Sequence, residues 1–169
     1  MRFWQEGLSL LYKHGYETVM ITPWGKNALR VRATKYPRFT ENDWALEEQV
    51  LAAGNVEIVT GAGEAKVTNG RLCIKVDASG IMTFYRDGKK ILKEYHRDYD
   101  QPSCRESRCL KIRGREYKAI VGGDYALKVR FESNDKEKIY GMGQYQQSYL
   151  DLKGCTLELA QRNSQVSVP

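Results

Sequence analysis

The sequence predicts an all-β fold, a two-sheet antiparallel β-sandwich with at most one short helix. Three observations carry this. Apolar and polar residues alternate with period two from Thr18 onward, and Asn-Gly and Asp-Gly dipeptides stand between alternating runs. The strand-like segments number about eleven, too many for one flat sheet, and two packed sheets would bury both apolar faces.

The elements follow in order. Strands centre near Val19, Leu29 and Val56, then near Val67, Ile74, Thr83 and Ile91, and finally near Ile112, Ala119, Val129 and Leu157. In "RLCIKVD", Leu72, Ile74 and Val76 face one way while Arg71, Cys73, Lys75 and Asp77 face the other. In "YALKVRFES", Leu127, Val129 and Phe131 oppose Lys128, Arg130 and Glu132, the pattern of a half-buried antiparallel strand. Asn69-Gly70 and Asp87-Gly88 tolerate the positive φ of a type I′ turn and predict two hairpins. With "DASG" at Asp77–Gly80 as the remaining connection, Glu64–Tyr95 reads as a continuous meander. Only "ENDWALEEQVLAA", residues 41–53, has helical character, with Asn42 or Asp43 able to cap it. The polar stretch His96–Cys109 reads as a loop between layers.

A length of 169 residues suits one domain, 1–169, and 41% hydrophobic with 28% charged residues is the balance of a chain that folds. No apolar run is long enough to span a membrane, and Met1–Trp24 has no signal-peptide pattern, so the expected location is cytoplasmic, with no membrane partner. The net charge of +6 raises the possibility of a basic β-domain that binds nucleic acid. The distribution opposes it: in "LRVRA", "LKIRGREYK" and "ALKVRF" basic and apolar residues alternate, as on the solvated face of a sheet.

Four cysteines, Cys73, Cys104, Cys109 and Cys155, match neither a zinc ribbon nor a CxxC pair and are expected as reduced thiols. No metal and no cofactor is implied. "GAGEAK" and "GMGQYQ" lack the third glycine and following helix of a nucleotide site. His14 and His96 have no nucleophile in a recognisable setting, and Asp98 and Asp100 lie in a polar loop with cations of their own. Tyr140, Tyr145 and Tyr149, interleaved with Gln144, Gln146 and Gln147, combine flat apolar faces with amides, the mixture that recognises sugars; a strand edge packed on a neighbour would use the same residues.

Two stretches bear a resemblance. "EKIYGMGQYQQSYLDLKGCTLELAQRNSQVSVP" resembles the end of the amino-terminal β-sandwich of glycoside hydrolase family 31, the α-glucosidase and α-xylosidase family, where Tyr-Gly-Leu-Gly-Glu/Gln precedes a loop and strand leading to an Asn-Arg-Asp turn. "ITPWGKNALRVRATKYPRFTENDWAL" resembles the first strands of the same domain. The resemblance implies a galactose-mutarotase-like supersandwich whose last strands lie beyond Pro169, packed on a downstream (β/α)8 barrel absent from this chain. It also implies a sandwich loop that reaches an α-linked oligosaccharide at the domain junction. The family mechanism is retaining, with two carboxyls roughly 5 to 5.5 Å apart. Both belong to the barrel, so no residue here is expected to be catalytic, and a glycosidase activity would belong to the parent enzyme.

Gln161, Arg162 and Asn163 fall where the family has Asn-Arg-Asp and are the implied substrate-binding residues, with Asn163 as a neutral amide in the acidic residue's place. Gly141, Gly143 and Gln144 match the signature and are expected to shape a turn. The alternative is a stand-alone carbohydrate-binding module. Oligomeric state stays open, a homo-oligomer included.

Overall fold

The structure, a computed structural model, describes residues 2–40, 55–97, 111–144, 148–160, 163 and 165–167. It is all-β, and the described residues contain no helix; the helical segment expected over 41–53 lies outside them. The chain packs into two compact units, Met1–Glu132 and Ser133–Pro169.

In the first unit, β1 (Arg2–Glu6), β2 (Ser9–His14), β3 (Glu17–Trp24) and β4 (Ala28–Thr34) form an antiparallel sheet in sequence order. A second sheet follows with β5 (Val56–Thr60), β6 (Ala65–Asn69), β7 (Leu72–Val76), β8 (Met82–Arg86) and β9 (Lys89–Lys93). Its alternation is the one expected: Ile74 and Val76 are buried and Lys75 is exposed. Leu10 and Tyr12 of β2, Val19 and Ile21 of β3, Val67 of β6 and Ile74 of β7 meet in one core, each fully buried. Burying such a side chain contributes about 1.5–3 kcal/mol, so this shared core holds the two sheets as a sandwich.

Three local expectations are corrected. The hairpin β1–β2 precedes the region where alternation was expected, because "LLY" is buried on both faces at Leu10, Leu11 and Tyr12 and carries no period-two signal. Asn69 is a strand residue paired with Leu72, so the turn residues are Gly70 and Arg71. Only Gly70 has positive φ, 58°, the pattern of type II′. Asn69 serves elsewhere: its buried amide donates to Gly25 O at 2.9 Å and Ala28 O at 2.7 Å, tying β6 to the β3–β4 loop. Asp87-Gly88, with φ of 51° and 77°, is the expected type I′ turn.

The third correction concerns β10 (Arg115–Ala119) and β11 (Tyr125–Val129), an antiparallel pair that extends the second sheet. Tyr95 N donates to Arg130 O, and Glu132 N to Lys93 O, which hydrogen-bonds the chain after β11 to the end of β9. Leu127, Val129 and Phe131 do alternate with Lys128, Arg130 and Glu132, yet 45%, 40% and 45% of their surface is exposed. Among the described residues no second layer lies over this margin of the sheet. Ile112 makes only an isolated bridge with Arg97, and Leu157 lies outside any strand.

Candidate functional site

Within the second unit, backbone hydrogen bonding sets the frame. Asp151 accepts from Ile139 N at 3.1 Å and Lys153 N at 3.2 Å, and Leu152 N donates to Ile139 O at 2.7 Å. Those two amides, in that order, hold the Asp151 carboxyl below the usual carboxylate range. Ile139 and Leu152 are thereby fixed side by side, and the chain leaves Ile139 directly into Tyr140-Gly141-Met142-Gly143-Gln144.

Gly141, Met142 and Gly143 have φ of 98°, 67° and 113°, three consecutive residues in the left-handed half of conformational space. Glycine accepts this readily; Met142 does so at a cost, the kind of local strain found where a chain must turn sharply. The turn delivers Gly143 and Gln144 as strand β12 (Gly143–Gln144), which pairs with β13 (Val166–Ser167). Ser167 Oγ donates to Ala160 O at 3.3 Å. Ala160 and Ser167 thus close the loop between them, and Asn163 is an exposed turn residue on that loop.

The structure therefore brings Gly141, Gly143 and Gln144 together with the strand that follows Asn163. Gln161 and Arg162 lie outside the described residues, as do Tyr145, Gln146 and Gln147. Tyr140 and Tyr149 are 54% and 67% exposed, which leaves both rings open to solvent. Asp98, Asp100, Cys104 and Cys109 are also outside the described residues; Cys73 and Cys155 are free thiols. Among the described residues, no three metal-ligating side chains converge.

A second feature, in the first unit, was not anticipated. A buried ionic cluster joins β2, β3, β10 and the residue after β9. Arg115 Nη2 donates to Glu17 Oε1 at 2.8 Å, to Gly80 O at 2.8 Å and to Tyr12 Oη at 3.1 Å, while its Nη1 engages both oxygens of Glu94. Met82 N donates to Glu94 Oε2 at 2.9 Å. Burial raises the pKa of Glu94, with the Arg115 charge opposing it. For Arg115 burial acts downward, but the hydrogen bonds and charges of its partners outweigh it and the net shift is upward. Above this cluster opens a cleft of about 610 Å³, to which both histidines, His14 and His96, contribute. The signal for the cluster was present: Glu17 sits at the same strand parity as Val19 and Ile21, where only an apolar or an ion-paired residue can stand.

No family model matches the chain. It is 44% identical over 162 residues to an uncharacterized family 31 glucosidase of Pseudescherichia vulneris, a match covering 90% of this chain and 30% of the relative. It is 24% identical over 178 residues to alpha-xylosidase A of Aspergillus niger, covering 95% of this chain and 23% of that protein. Among solved structures, a family 31 alpha-xylosidase from a soil metagenome, crystallised with xylose, superposes with a TM-score of 0.87 at 39% identity. That match covers 100% of this chain and 26% of the solved one. The chain thus spans less than a third of the length of the relatives it matches.

Proposed function

From a chain whose sequence and fold are those of the amino-terminal β-sandwich of glycoside hydrolase family 31, we propose an accessory role in a retaining α-glycosidase. In this reading the sandwich packs on a catalytic barrel carried by a longer protein and lends it the loop that bears Asn163. The observation that carries the proposal is the β12–β13 ladder, which anchors that loop against the Gly-Met-Gly-Gln turn while leaving Asn163 exposed. An anchored loop can present a side chain to a sugar in a fixed position, which a free chain end cannot do without an ordering cost.

Asn163 can both donate to and accept from a sugar hydroxyl, and Arg162 and Gln161 add donors beside it. The two reacting carboxylates belong to the barrel. The relatives are a glucosidase and α-xylosidases, so α-glucosides and α-xylosides are the substrate classes to try.

The exposed rings of Tyr140 and Tyr149 favour a second reading, a module that binds sugar by itself. One experiment separates the two. Hydrolysis of nitrophenyl α-glucoside and α-xyloside is measured for the 169-residue chain and for a chain extended through the downstream reading frame, and sugar binding is measured for both. Activity confined to the longer chain supports the accessory role; sugar binding by the short chain with no activity in either supports the module.

A further inference from the structure

The inner face of the second sheet continues past the layer that covers it. Across the β10–β11 ladder Val129 stands opposite Arg115 and Leu127 opposite Tyr117, and Phe131 pairs with Glu94. Directly opposed residues of an antiparallel pair share a face. Arg115 and Glu94 are both buried, so Leu127, Val129 and Phe131 point to the side on which the core lies. The Phe131 ring also stands edge-on to Phe84, with centroids 6.4 Å apart, and Phe84 packs against that core. All three side chains are nonetheless half-exposed.

The opposite face of the same strands is built for water. Glu116 pairs with Arg130 at 2.8 Å, and Glu132 with Lys90 at 3.2 Å and Lys93 at 3.3 Å. The apolar strip on the inner face is bounded at both ends. At one end Lys35 lies over the Tyr117 and Tyr125 rings at 5.2 and 5.5 Å, and Tyr36 meets the Tyr125 ring edge-on at 5.8 Å. At the other stands Phe84. Between these ends the strip is open among the described residues, although the backbone beneath it is fixed, with Arg130 N donating to Gly114 O at 2.8 Å. The strip is thus a preformed floor, continuous with the core and one layer short.

Area decides what covers it. Tyr125, Leu127, Val129 and Phe131, each less than half exposed, present a patch no larger than the largest on an ordinary monomer, about 300–600 Å². A stable dimer buries about 800 Å² per partner and must also overcome the entropy of association. A segment of the same polypeptide meets neither requirement, and the relatives this chain matches are more than three times its length. We propose that Leu127, Val129 and Phe131 are the floor of a core completed by a further apolar strand layer of the longer polypeptide, lying over β11 as the first sheet lies over β6 and β7. This rests on the part of the reading above that places the chain in a longer protein; it concerns the core of the sandwich and neither the barrel contact nor the sugar site.

The test is hydroxyl-radical footprinting, read by mass spectrometry, of the 169-residue chain and of the chain extended through the downstream reading frame. Oxidation of Leu127 and Phe131 should fall several-fold in the extended chain, while Tyr85, on the opposite face of the same sheet under Lys75, changes little. Leu127→Asp should lower the melting temperature of the extended chain more than that of the 169-residue chain; Lys128→Asp, on the solvated face, should not distinguish the two lengths. A photo-cross-linker in place of Val129 should capture an alternately patterned apolar segment. Equal oxidation of Leu127 and Phe131 in both lengths overturns the proposal, whether they are open or already protected. So does capture of the barrel's helices, or protection that appears only with a dimer that Leu127→Asp abolishes. None of these readouts uses hydrolysis, so the accessory reading at Asn163 and this one can fail separately.

Discussion

The backbone of Gly143 pairs with that of Ser167 in an antiparallel ladder, so the Gly-Met-Gly-Gln turn and the turn carrying Asn163 are held by the same two short strands. Gly143 can do this because its φ of 113° is closed to residues with a Cβ. Gly143→Val should therefore cost about 1–3 kcal/mol locally. Amide hydrogen exchange at Gln144 and Ser167 would speed up, while protection of the β6 and β7 amides in the first unit stays as it was.

The bridge from Arg115 to Glu17 and Glu94 predicts a larger and pH-dependent effect. Arg115→Met leaves two carboxylates buried without their cation and should destabilise the chain by about 3–5 kcal/mol in urea denaturation. Glu94 already has a raised pKa, so the folded state holds its proton more tightly than the unfolded chain does. Its contribution is fully present below the ordinary glutamate value and is lost as pH rises through the folded value. Without Arg115 that loss should steepen, and the variant should recover stability as pH is lowered toward the ordinary glutamate range. A variant whose deficit is the same at every pH would contradict this.

The contact between Asn69 and the β3–β4 loop makes a third prediction. Asn69→Ala deprives Gly25 O and Ala28 O of their donor and should cost about 1–3 kcal/mol. The neighbouring Gly70→Ala should also destabilise: a Cβ there would stand 2.3 Å from Asn27 Oδ1 and 2.7 Å from Lys26 O, with φ at +58° besides. Thermal melts of both variants check the pair.

Acid should act on the second unit through Asp151. Its pKa is lowered by the Ile139 and Lys153 amides, so its contribution exists above the unfolded value and is lost as pH falls through the folded one. Asp151→Asn should flatten the acid limb of unfolding monitored at the Ile139 amide; an unchanged limb would contradict the assignment.

How much of this was legible in the sequence varies by element. The β6–β7 hairpin could be read because one face of each strand is buried and a glycine marks the turn, and the β8–β9 hairpin because Asp87-Gly88 marks its turn. The β1–β2 hairpin could not, since Leu10, Leu11 and Tyr12 are buried on both faces and erase the alternation. Gly7 and Gly15, each in a two-residue turn, were the remaining signal. In β9 the bulge at the Phe84/Tyr85 register shift turns Ile91 outward, 51% exposed, which no period-two reading anticipates. At the candidate site, the Gly141–Gln144 signature was readable as a turn, but its pairing with Val166 and Ser167 is a non-local contact. The Arg115 cluster joins residues 98 positions apart, and only the inward parity of Glu17 hinted at it.

The central claim is that the loop anchored by β12 and β13 contacts sugar in a longer enzyme. Its most direct test is kcat/KM on nitrophenyl α-xyloside and α-glucoside for the extended enzyme and its Asn163→Ala variant. The account predicts a loss of about three- to tenfold, the value of one or two neutral hydrogen bonds, with the melting temperature unchanged. Full activity in the variant, on both substrates, would contradict it.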